Sequence, residues 1–448
     1  MRPLLAAALA LAAAPVAAQQ QVVPQAQIPG SPLITARISQ GATLDTNFGL
    51  EDPRQGNSYF ADTGLQLGLL SETELQTLSI GLDTGLRALW EAQEDFRFTF
   101  ASPTTARLDY GRDWSTGGVD VDLRFRQAEE DADRVLGPNE DVGGVGGDDI
   151  ERLGINVTQY RYDGAIDLEL AQDSPSSYTF SLSGTRIDYD EVSANRTPRD
   201  TFQGEAGWRL RFNETVSGAL NGLFIYYDAD NTQQTQVRFG SIDAGVIYQP
   251  SDVLRVDFGI GYAHRERRET ERPALDNPVD PPPDPVRETS TDSGPAARFA
   301  LRYAFEDVTV DGVLRYTSAA DGAPVTGQLR ATYPLPRGAL TGRLFQNKTG
   351  AASGSEARVT GAGIGLLHEL DRVSTIEFDA NAAQQVDETA PFEADITRYS
   401  VSAVYSREIT ETVNASLGYT YRTYDQADDD AVGNIVFFEI GKSFASRF

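Results

Sequence analysis

The sequence predicts an all-β fold: a transmembrane antiparallel up-and-down β-barrel of about 20 strands, in a range of about 18 to 22, with both termini on the periplasmic side. Three observations predict it. Segments of about ten residues alternate apolar and polar positions. Short polar turns and longer polar loops follow each other in strict alternation. The chain closes on an aromatic-rich strand, Val436 to Phe448.

The chain opens with Met1-Arg2, an apolar stretch from Leu4 to Ala14 and the small residues Val16-Ala17-Ala18. This is the pattern of a secretory signal, with cleavage expected near Ala18. Residues 1–18 are therefore expected to be removed. Residues 19–32 are rich in Gln and Pro and are read as a periplasmic lead-in; residues 33–448 are read as the barrel. The sequence contains no Cys, which excludes a lipid anchor on a thiol and any disulfide. No later run approaches the roughly 18 apolar residues of a membrane-spanning helix.

The alternation is clearest in four segments. Leu254, Val256, Phe258, Ile260 and Tyr262 oppose Arg255, Asp257, Gly259, Gly261 and Ala263. Val119, Val121, Leu123 and Phe125 oppose Asp120, Asp122, Arg124 and Arg126. Phe299 to Phe305 and Val413 to Arg422 repeat the pattern. Successive side chains of a strand point to opposite faces, so one face is apolar and the other is charged or small. Alternation alone is shared with soluble sandwiches. Strand length, loop asymmetry and the final strand separate the two, and all three favour apolar-out, polar-in barrel strands.

Short connections are expected at Ser71-Glu72-Thr73, Asn213-Glu214-Thr215, Pro250-Ser251-Asp252, Glu306-Asp307, Pro334 to Gly338, Leu370-Asp371-Arg372 and Glu408 to Thr412. Longer ones are expected at Glu51 to Ser58, Glu129 to Ile150, Glu269 to Thr291, Asn347 to Gly354, Asp387 to Asp395 and Asp425 to Gly433. Asn, Asp, Pro and Gly occupy these places for their turn preferences. Aromatic rings are expected at the two membrane interfaces. Phe212, Tyr248, Phe305, Tyr333 and Tyr405 flank short turns, and Trp90, Tyr226, Tyr262, Tyr316, Phe345 and Tyr424 flank long ones.

By this alternation the inward face carries Arg124, Arg126, Arg161, Arg209, Arg211, Arg255, Arg302 and Arg315 together with Asp120, Asp122, Asp163, Asp167, Glu205, Asp257 and Asp311. Charges of both signs on one face must be wetted or paired. They are the candidates to line a water-filled lumen. The net charge of −28 argues against nucleic acid, whose phosphates call for Lys and Arg, and predicts a weak cation preference unless the acids sit mainly in loops. No catalytic residue, metal site or cofactor is expected. His264 and His368 fall at opposite ends of their strands, and Arg265, Arg267 and Arg268 crowd the place where Glu266 and Glu269 would join His264 in catalysis. The acidic run from Glu129 to Asp149 lacks the spacing of a calcium loop.

In the last strand Val436, Phe438, Ile440, Phe444 and Phe448 share a face. This resembles the C-terminal signal of bacterial outer-membrane barrels, carried here by Phe438, Ile440, Gly441, Phe444 and Phe448. Ser446 and Lys442 depart from the pattern. The resemblance implies recognition by the barrel-assembly machinery. The repeated unit, in stretches such as Ile247-Tyr248-Gln249-Pro250-Ser251-Asp252-Val253-Leu254-Arg255-Val256 and Val413-Asn414-Ala415-Ser416-Leu417-Gly418-Tyr419, resembles the porin-2-like barrels of Gram-negative alphaproteobacteria. That likeness implies residence in the bacterial outer membrane, among its lipid and lipopolysaccharide, and passive passage of small hydrophilic solutes. The rival reading is a non-channel barrel serving polysaccharide export or envelope and surface interaction. A transporter with a plug domain is disfavoured because only residues 19–32 stand between signal and barrel, too few for a domain.

Overall fold

A computed structural model describes residues 31–47, 56–90, 96–100, 104–129, 158–190, 197–231, 234–271, 286–305, 307–319, 325–350, 356–387, 395–426 and 429–447. The expected signal peptide, most of the lead-in, the side chain of Phe305, the terminal Phe448 and much of the expected long loops lie outside these residues.

The strands are β1 (Leu33–Asp45), β2 (Ser58–Glu72), β3 (Gln76–Trp90), β4 (Arg97–Phe100), β5 (Thr104–Trp114), β6 (Gly117–Glu129) and β7 (Thr158–Leu170). They continue with β8 (Ser176–Tyr189), β9 (Arg199–Arg211), β10 (Val216–Ala229), β11 (Gln236–Tyr248), β12 (Leu254–Glu271), β13 (Val286–Phe305) and β14 (Val308–Thr317). The last are β15 (Val325–Leu335), β16 (Gly338–Gly350), β17 (Glu356–Asp371), β18 (Ser374–Asp387), β19 (Ile396–Thr410), β20 (Val413–Gln426) and β21 (Asp429–Arg447). Each pairs antiparallel with its sequence neighbours, except that β4 and β5 both lie against β3. They are two pieces of one barrel strand. The result is a 20-strand sheet, closed on itself by thirteen residue pairs between β1 and β21, from Leu33↔Arg447 to Asp45↔Ile435.

An even number of strands puts the start of β1 and the end of β21 at one rim, beside the short turns. Two-residue turns join β5 to β6, β15 to β16, β17 to β18 and β19 to β20. Polar side chains complete the short turns locally: Asn213 Oδ1 accepts from the backbone N–H of Thr215 at 2.9 Å and of Val216 at 2.8 Å, and Asp371 Oδ1 accepts from the Val373 N–H at 2.9 Å. These local bonds are the reason Asn and Asp hold such positions.

The strands run further into the long-connection rim than the composition suggests. β12 and β13 pair as far as Glu271↔Val286, inside the expected 269–291 loop, and β20 and β21 pair as far as Gln426↔Asp429, where a loop from 425 to 433 was expected. Charged residues look like loop, but a strand projecting past the bilayer tolerates them when they pair along one face. Arg267 Nη2 lies 2.5 Å from Glu269 Oε1, two residues on.

The period of two sorts the side chains as expected. Leu123, Phe258, Ile260, Leu314, Leu344, Leu417, Phe438 and Phe444 are exposed on the outward face, where a hydrocarbon layer would cover them. Two of the expected interfacial rings are corrected by the same rule: Phe345 shares the inward face with Arg343, and Tyr424 with Arg422. Both are buried, in an apolar cluster with Val359, Ala383, Ile396 and Ala431 near the long-connection rim. Arg343 lies over the Phe345 ring at 5.0 Å and Arg398 over Tyr424 at 5.1 Å.

The seam is fastened from inside. Arg37 on β1 meets Glu439 on β21 at 2.5 Å. Gly441 makes room for it, since a Cβ there would stand 2.7 Å from Arg37 Nε. Arg422 on β20 reaches past β21 to Asp45 on β1, donating at 2.6 Å, with both side chains almost wholly buried.

Two outcomes are expected. Phe258→Arg, placing a charge at mid-strand on the lipid side, lowers stability in lipid vesicles by about 2–4 kcal/mol; an unchanged urea midpoint would contradict the face assignment. Arg422→Ala strands the Asp45 carboxylate in a buried site and costs about 3–5 kcal/mol by the same measurement, and pairing it with Asp45→Asn restores part of that loss.

Candidate functional site

The cross-strand register determines which inward residues become neighbours. All fifteen lumen candidates lie on the face opposite the exposed apolar side chains. They separate into two arcs.

The first arc is acidic and spans β5 to β7. Asp109 stands opposite Asp122, and Asp120 opposite Asp167. Cations temper it from the same face: Arg107 meets Asp109 at 2.7 Å and Asp122 at 3.2 Å, and Arg161 meets Asp163 at 2.8 Å. Arg124 stands directly opposite Asp163, and Arg126 opposite Arg161.

The second arc is rich in arginine and spans β9 to β16. Arg255 is opposite Arg302, Arg302 opposite Asp311, Asp311 opposite Arg330 and Arg330 opposite Arg343. A single row across five strands thus carries four guanidinium groups and one carboxylate. Strands of a closed barrel tilt by about 35–45°, so a row at right angles to them climbs the wall from the short-turn rim. Arg209 and Arg211 sit near its foot on β9.

Ion pairs mostly join residues on one strand or on adjacent strands, which keeps them along the wall. Arg298 on β13 instead reaches Asp257 on β12 at 2.9 Å and Asp243 on β11 at 3.5 Å. It passes over Gly259, where a Cβ would lie 2.4 Å from the Asp243 carboxylate. Arg315 on β14 lies 3.7 Å from Glu205 on β9, five strands away. Five interstrand spacings amount to about 24 Å along the wall, so the wall between them is strongly concave. Small inward residues, among them Ala219, Gly245, Gly259, Gly261 and Ala263, permit that curvature.

Asp62, Arg87, Arg107, Asp109, Asp243, Arg298, Arg330 and Arg343 join the same face beyond the fifteen candidates, and the same alternation marks each of them in the sequence. Arg87 Nε, for instance, lies 2.8 Å from Asp62 Oδ1 in the hairpin β2–β3. The histidines stand apart: His264 faces outward with Nδ1 2.7 Å from Ser293 Oγ, and His368 pairs opposite Gly338 near the short-turn rim. Glu269 lies on the other face from His264 and cannot join it. Among the described residues no group of three or more His, Cys, Asp or Glu is placed to hold a metal ion.

The fold and its inner face define a class, the closed antiparallel membrane-type barrel with a charged interior. Among solved structures the chain is similar to the FrpB iron transporter of Neisseria meningitidis (F5-1 variant), with 8% identity and a TM-score of 0.50 over 93% of this chain and 83% of that one. It is also similar to the ferric-catecholate import receptor Fiu of E. coli K12 in its open form, with 9% identity and a TM-score of 0.48 over 94% and 82% of the two chains. A third similar structure is the copper transporter OprC, with 9% identity and a TM-score of 0.47 over 93% and 81%. At such identities the likeness is one of fold. No protein-family model and no curated protein matches the chain, so the porin-2-like resemblance gains no support, and the structural similarity runs to barrels named as transporters.

Proposed function

We propose that the chain is a channel of the Gram-negative outer membrane that passes small hydrophilic solutes by diffusion. The observation that carries the reading is solvated charge inside a closed ring. The Arg302 side chain is 70% exposed and that of Asp311 52% exposed, although the two face inward and lie 3.7 Å apart. Ionised groups exposed on the inner side of a barrel call for water there. Barrels of 16 to 18 strands already leave an aqueous passage, and a 20-strand ring is wider unless chain folds into it.

The outer membrane is favoured because the outward band is apolar and the sheet has no free edge, the two conditions for crossing a bilayer with strands. On this reading lipid covers that band, and lipopolysaccharide meets the long-connection rim, where Lys348 and Arg358 stand opposite each other on the outward face. The barrel-assembly machinery would insert the chain through its last strand. The names of the structural neighbours support transport in general. Acidic and arginine-rich arcs give cations and anions separate walls, and this near-balance makes selectivity among monovalent ions weak.

The test is single-channel recording in planar bilayers. Purified protein that keeps its folded, heat-modifiable mobility is expected to give stepwise conductance that scales with KCl concentration and a reversal potential close to zero in a KCl gradient. Folded protein that never produces steps would overturn the proposal. Arg315→Gln, which removes the contact with Glu205, is expected to raise the unit conductance while leaving that folded mobility unchanged.

A further inference from the structure

We propose that the arginine row from Arg255 to Arg330, with Arg209 and Arg211 at its foot, is a binding track for small multivalent oxyanions. This rests on the channel reading and gives it a class of solute. Three observations carry it.

The first is the register. Residues directly opposite on antiparallel strands have Cβ atoms about 4.5–5.5 Å apart, and like charges so placed are destabilising. Arg255 and Arg302 are such a pair. Like charges also stand opposite each other at Arg126 and Arg161, but there Asp163 holds Arg161 at 2.8 Å, whereas Arg255 has no carboxylate of its own.

The second is the lack of compensation. Among the described residues, neither Arg211 nor Arg255 makes an ion pair or a side-chain hydrogen bond, and the bond from Arg209 Nε goes to the neutral Ser217 Oγ at 3.2 Å. The Arg209 guanidinium lies within Coulombic range of those of Arg211 and Arg255, with the Asp257 carboxylate as the one opposing charge. Asp257, the carboxylate closest along β12, is already held by Arg298. Positive charge is thus gathered near the short-turn mouth and left open to the lumen.

The third is the form of the row. Guanidinium groups present planar forks that match phosphate and carboxylate oxygens in pairs. Arg255 and Arg302 stand directly opposite each other and can grip one anion together, and Arg330 lies beyond Asp311 as the next cationic step. Asp311 within the row limits the affinity. A conducting site has to hold a solute strongly enough to admit it and weakly enough to release it. The acidic arc on β5–β7 turns anions toward the arginine wall.

The probe is pyrophosphate, added to either side of a bilayer containing single wild-type channels in KCl. A concentration-dependent reduction of the KCl current is expected, stronger from the short-turn side and relieved at high KCl, where screening shortens the range of the charges. The variant R209Q/R211Q/R255Q should need about tenfold more pyrophosphate for the same block, the scale of one lost charge-assisted hydrogen bond. Arg238→Gln, on the outward face, should leave the block as it is. Conducting wild-type channels that pyrophosphate does not block, or a triple variant blocked like the wild type, would overturn the track. If folded protein shows no conductance, the channel reading fails by itself. Calorimetric titration of the detergent-solubilised barrel with pyrophosphate then decides the track: salt-sensitive binding lost in the triple variant supports it, and no binding overturns it.

Discussion

The structure depends on one constraint: every backbone N–H and C=O in a strand facing hydrocarbon needs a partner within the protein, because lipid offers none. A sheet meets that demand only by closing, and here the closure is the pairing of β1 with β21. The chain therefore has to bring its first and last strands together, and Arg37 and Glu439 meet across a separation of 402 positions. The inner side of that seam carries two ion pairs, the partly exposed Arg37 with Glu439 and the almost wholly buried Arg422 with Asp45. Gly441 belongs to this arrangement. Its place in the aromatic last strand looked like part of an assembly signal, and on the inner face it gives Arg37 the volume its guanidinium fills.

Closure also divides the side chains. With no free edge and a period of two, each strand gives one set of residues to lipid and one to the interior, and the ring has no ordinary core between two layers. Burial concentrates instead on the inner face toward the long-connection rim, where Phe345, Val359, Ile396 and Tyr424 pack together. Elsewhere the inner wall carries charge, part of it solvated, as at Arg302 and Asp311. The wall is not evenly curved: small residues on β10 to β13 let it bend until Glu205 and Arg315 meet.

The face of each residue was legible in the sequence because it depends only on parity within one strand. Parity puts the fifteen lumen candidates on one face, opposite the exposed Phe258, Leu314 and Leu417. For Phe345 and Tyr424 aromatic character points to an interface, whereas parity with Arg343 and Arg422 places them inside. Strand ends were less legible: Arg267, Glu269 and Glu271 read as loop by composition, since charge alone does not tell a solvated loop from a projecting hairpin. The two arcs were not legible at all. Whether Arg255 meets Arg302 and Asp109 meets Asp122 depends on register between strands, and that is set by turn lengths and by the whole closed ring.

The arginine row has a consequence for how such a wall can change over time. Because parity repeats every second residue, sliding β14 by two positions against its neighbours would return every lipid-facing side chain to lipid and every inner one to the interior. The membrane would register no difference. Yet Asp311 would leave the row and Val313 or Thr309 would take its place, so an unbroken staircase of charge would acquire a different step. Paired insertions and deletions near the two ends of a single strand thus let natural variation rewrite the interior while the exterior stays as it was.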